Sequence, residues 1–117
     1  MLENFRIMAY PLEISVLTEI SKTFTDAVEA DYVERVLSSA TLPMGESAPP
    51  PRVHIALLWL SAGHIKRFDH ELSAARSDWR DTLLRAGLAG ANWREVMQHR
   101  GVDCLTWNFP SRPGTGN

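Results

Sequence analysis

The chain has 117 residues, a formal net charge of −2, 44% apolar and 22% charged residues, and a single cysteine, Cys104. A chain of this length makes one domain and buries about two-thirds of its unfolded surface, enough for a core without staples. The balance excludes a disordered chain, an internal disulfide and, since IALLWL (55–60) is the longest apolar run, a membrane-spanning helix.

The opening MLENFRIMAYPLEIS lacks the long apolar run of a signal peptide, so the expected location is the cytoplasm. Pro11 suits a first helical turn, where its missing N–H costs nothing. Leu12, Val16, Leu17 and Ile20 then recur at helical spacing, with Phe24 one turn on. Thr25 or Asp26 can cap a second helix, and Glu29 completes a capping-box-like spacing. Its predicted apolar stripe is Val28, Tyr32, Val33, Val36 and Leu37, ending near Ser39. RIMAYPLEISVL also shows some alternation, which leaves an N-terminal strand as the alternative, with VDCLTWNF as its one conceivable partner.

TLPMGESAPPP (41–51) holds four of the seven prolines and reads as a loop. RVHIALLWLSAG (52–63) is apolar on nearly every face, as a helix buried on several sides must be. Gly63 can take the left-handed conformation that closes it. Ile65, Phe68, Leu72, Ala75, Trp79 and Leu83 then follow at steps of three and four. They predict one amphipathic helix over about 65–86, with a place for a kink near Ser77 where Asp78 could cap a fresh turn. Gly87 and Gly90 end it. Asn92 and Glu95 open a short helix carrying Trp93, Val96 and Met97, stopped by Gly101. PSRPGTGN reads as a disordered tail over 110–117.

The expected fold is therefore all-α: about five helices in a small bundle built on an αα-hairpin at about 52–86. One helical domain spans 1–109, with a helical pair at 11–39, the proline-rich loop, and the hairpin plus short helix at 52–100. Residues 52–100 resemble a segment of short bacterial helical-hairpin proteins. The likeness rests on Arg52-Val53, Gly63, and Ala75, Asp78, Trp79, Arg80 and Asp81 late in the second helix. It implies a helical hairpin and carries no function. Trp59, Gly63, Leu72 and Ala75 also fall near the spacing of a tetratricopeptide unit, but one copy does not make a solenoid.

The chemistry-bearing residues point away from catalysis. In AARSDWRDTLLRAG (74–87), Asp81 meets Arg85 at i+4, Arg76 neighbours Arg80, and Asp78 flanks an inward Trp79. A catalytic carboxylate pair needs one desolvated member or two forced together, and nothing here predicts either. His54, His64, His70 and His99 lack the i, i+4 spacing of a helical metal pair, and no cofactor or metal is expected. His54 reads as a hydrogen-bonded residue at the core edge. Cys104 has only His99, Arg100 and Asp103 nearby and no orienting geometry. Trp107, with Phe109 two residues on, either folds back on the core or anchors a partner.

Residues 1–51 carry eight acids and three bases, and residues 52–117 nine bases and six acids. The halves can attract within one domain, associate between copies, or offer the basic half to an anionic partner. The field is too weak to predict nucleic-acid binding. The expected function is a non-catalytic protein-interaction or regulatory module with a protein partner or self-association, using Trp107, Phe109, Arg76, Asp78, Arg80, Asp81 and Arg85. The alternatives are an enzyme or accessory subunit using Asp78, Asp81 and a histidine, or nucleic-acid association through Arg67, Arg76, Arg80 and Arg85.

Overall fold

A computed structural model describes residues 12–39, 51–104 and 107. Pro11, the 41–50 part of the proline-rich loop, Phe109 and the 110–117 tail lie outside them. The described residues are all-helical, with six helices and no strand. Their ranges are α1 (Ile14–Thr23), α2 (Ala27–Ser39), α3 (Pro51–Ser61), α4 (Ile65–Ser77), α5 (Trp79–Ala86) and α6 (Trp93–His99). None is long and apolar enough to cross a membrane.

α1 buries Val16, Glu19 and Ile20 on one face, and Phe24 follows with its N–H on the Ile20 carbonyl at 2.8 Å. Asp26 starts α2 by accepting the Val28 N–H at 3.3 Å. The α2 stripe follows the expected one except at its start. Val33 and Leu37 are buried with Val36 and Ala30 beside them, whereas Val28 is 76% exposed. Val28 lies in the first turn, five residues before Val33, and so falls off the face that meets α1.

α3 is the hub. Val53 to Leu58 are all buried, because α1, α4 and α5 each pack against it. Burying each Leu or Ile of this helix contributes about 1.5–3 kcal/mol. Pro51 occupies its first turn, where no donor is lost. At its C-terminus the Ser61 hydroxyl donates to the Leu58 carbonyl at 2.7 Å. The turn then runs through Ala62 and Gly63, both at positive φ. A Cβ on Gly63 would lie 2.9 Å from the Thr23 carbonyl oxygen, so the end of α1 closes directly on this turn.

The expected 65–86 helix is two helices. Asp78 breaks it with extended φ −155° and ψ 88°, and its carboxylate accepts the Asp81 N–H at 3.4 Å to start α5. Phe68, Leu72, Ala75 and Leu83 are buried on both sides of the break. The apolar stripe therefore crosses it without a change of face. Gly87 at φ 79° turns the chain so that Leu88 donates back to the Leu83 carbonyl at 2.8 Å and buries its side chain. Gly101 does the same for α6, where the Val102 N–H reaches the Met97 carbonyl at 2.9 Å. Phe68 ties the helices together, with Phe24 and Tyr32 edge-on to it at 6.2 and 6.5 Å.

Candidate functional site

The carboxylates singled out in the sequence are occupied with structure. Asp78 is an exposed helix cap. Asp81 is exposed and accepts from Arg85 Nε at 3.0 Å. The same Arg85 donates through Nη1 and Nη2 to both oxygens of Glu71, at 3.2 and 2.8 Å. Glu71 is 7% exposed and went unnoticed in the sequence. Its signal was an acid three residues after Phe68, on the buried face. The Arg85 guanidinium is held protonated by Glu71 first and Asp81 second. Arg76 is exposed, as are Arg80 and Arg67.

Glu19 is the second buried acid. It accepts the Trp59 indole N–H at 3.0 Å and pairs with Lys22 at 3.3 Å. His54 is buried, not at the core edge as expected, and its Nε2 has no hydrogen-bond partner among the described residues. Burial alone pushes its pKa down to about 4, so the ring is neutral. His64, His70 and His99 are exposed. Among the described residues no group of three or more His, Cys, Asp or Glu side chains could hold a metal ion. Cys104 is buried with its thiol 3.9 Å from the Arg94 carbonyl.

Trp107 folds back. It is 8% exposed, stacks on Trp93 at 5.8 Å and 23°, and donates its indole N–H to the Ser15 hydroxyl. As an exposed anchor it is therefore unavailable, because its ring is spent against the core. A shallow cleft of about 310 Å³ is lined by Ile14, Ser15, Thr18, Glu19, Val102 and Asp103 among others. Neither Asp78 nor Asp81 lines it.

What the sequence reading missed is a set of arginine-capped tryptophans. Arg100 lies 3.7 Å from the centre of the half-buried Trp59 ring. Arg52 and Arg94 both lie over Trp93, at 4.8 and 4.3 Å. Arg80 covers Trp79 at 5.4 Å. Among the described residues no carboxylate forms an ion pair with any of these four arginines. The Arg52 guanidinium is held below its ordinary pKa, first by partial burial and then by the charge of Arg94. Only Trp93-Arg94 and Trp79-Arg80 are adjacent in sequence; the other contacts depend on how α3 and α6 come together.

No family model matches the chain, and searches of curated proteins and of solved structures return no significant match.

Proposed function

We propose that the chain is a small non-catalytic protein-interaction module that presents arginine-capped tryptophans to an acidic protein surface. The observation that carries this is the pairing of Arg100 with Trp59 and of Arg52 and Arg94 with Trp93, with no carboxylate among the described residues in an ion pair with the three guanidiniums. Arginine and tryptophan are the side chains most enriched where binding energy concentrates. A guanidinium held on an indole is already ordered, so less entropy is lost when a partner's carboxylate reaches it. The acid partner can come from another protein or from the acidic half of a second copy. Membership of the short bacterial hairpin group, and a bacterial cytoplasm as the setting, belong to the same proposal. The first draws support from Gly63 and the Ala75–Asp81 motif. A lone, reduced and buried cysteine supports the second.

The enzyme alternative gains no support, since Asp78 caps a helix and Asp81 pairs with Arg85. Light scattering and affinity capture test the interaction reading. A dimer or a stoichiometric partner is expected, weakened by R100A and W59A. A strict monomer that captures nothing would count against it.

A further inference from the structure

We propose that Arg52 and Arg94 form a binding site for a dianionic phosphate group, a role that stands whether or not the same surface also binds a protein. The two guanidiniums lie over one indole, at 4.8 and 4.3 Å from its centre, which brings two like charges to one small area. That arrangement is unfavourable without a counter-charge, and among the described residues no carboxylate supplies one. Burial and the Arg94 charge both act against the charged form of Arg52. A bound dianion removes the repulsion and satisfies both charges at once, whereas a single carboxylate neutralises only one. Guanidinium forks match tetrahedral oxyanions with paired N–H donors.

The scaffold holds the two arginines from different elements. Arg52 stands in the first turn of α3, which carries no acid in that turn, so the helix N-terminus adds a favourable field. Arg94 comes from α6, and Trp93 stacks on Trp107 at 5.8 Å. Trp107 stacks on Trp93 and two guanidiniums lie over the same ring, so a nucleobase would have to compete with these neighbours to stack there. Recognition is therefore of the phosphate group itself, either as free inorganic phosphate or as a phosphomonoester on a larger molecule.

The test is a titration of the full ¹⁵N-labelled chain with inorganic phosphate at about pH 7.5, where phosphate is mostly dianionic, at constant ionic strength. Saturable one-to-one shifts of the Trp93 indole N–H and the Arg52 and Arg94 side-chain N–H signals are expected. R52Q and R94Q should each weaken binding at least about tenfold, R52K and R94K less, and K66Q, on exposed α4, not at all. A phosphoserine peptide and its serine counterpart then separate the sources. Tighter binding of the phosphopeptide assigns the site to a phosphomonoester, and binding of inorganic phosphate alone assigns it to the free ion. Either result supports the site. Equal shifts with acetate overturn it, as do shifts that never saturate or that map elsewhere on the wild-type chain. So does binding of an RNA oligomer without any response to inorganic phosphate. Should a Gln variant fail to fold, the wild-type shift map and the Lys variants decide alone.

Discussion

Arg85 grips Glu71 with both arms across the α4–α5 junction, at 2.8 and 3.2 Å, while its Nε holds Asp81. The Glu71 side chain is 9% exposed and that of Arg85 38%. The value of the pair therefore lies less in its own attraction than in what its loss would leave behind. R85A strands a desolvated carboxylate and should cost roughly 1–3 kcal/mol, below the full range for buried pairs because the arginine is partly wet. D81N should cost no more than about 0.5 kcal/mol. Replacing both partners, as in E71L with R85M, should be milder than R85A alone. Urea denaturation of the four proteins checks this ordering, and an R85A no worse than D81N would contradict it.

Two glycines make a matched pair at the C-termini of α3 and α5. Gly63 and Gly87 have φ of 83° and 79°, so an alanine at either is strained by about 1–2 kcal/mol. Only Gly63 faces a carbonyl, Thr23 O, at 2.9 Å from a built Cβ, while Gly87 has nothing within 4 Å. G63A should therefore destabilise clearly more than G87A, by about 1 kcal/mol or more. Thermal melts of the two variants give the comparison directly.

The contrast between these glycines also shows what the chain made legible. Both turns could be read from glycine after an apolar run, but the clash at Gly63 depends on where α1 ends, which no local pattern carries. The helical stripes were readable because Val16, Ile20, Phe68, Leu72 and Ala75 repeat with the period of a helix. That same period runs through the break at Asp78, since the stripe continues in phase from Ala75 to Leu83, so the sequence offered a kink near Ser77 but not two separate helices. Only the capping distance from Asp78 to Asp81 marked it. Val28 was misassigned because apolarity alone does not say which side of α2 meets a neighbour. Arg100 over Trp59 and Arg52 over Trp93 were out of reach for a deeper reason. Arg52 and Trp93 are forty-one positions apart, and their contact is a product of packing.

The docking of Trp107 itself can be tested. It is buried against Trp93 and donates to Ser15 on α1, bridging the two ends of the described chain. W107A should cost about 3–5 kcal/mol, as for other buried aromatic truncations. S15A removes only one neutral hydrogen bond and should cost about 0.5–1.5 kcal/mol. Amide exchange should show W107A exposing α1 and α6 together. A W107A protein as stable as the wild type would mean that the Trp107 ring is not docked in solution.

His54 makes stability depend on pH in a defined direction. Its folded pKa is about 4, against about 6.5 for an unperturbed imidazole. Between those values the unfolded chain binds a proton that the folded chain refuses, so stability rises with pH across that window. The His54 contribution is fully present above about pH 6.5 and falls away as pH drops towards 4, by on the order of 3 kcal/mol. Below the folded pKa the ring protonates in place and the loss levels off. The carboxylates also titrate near the lower end, so the wild type alone does not isolate the effect. The comparison is with H54L, which fills the site without an ionisable group. Denaturant midpoints measured from pH 7.5 to 4.5 should fall for the wild type relative to H54L, whichever of the two is the more stable at pH 7.5. Parallel curves would show that the imidazole gains a partner or solvent on protonation, and that the ring is not sealed in the core.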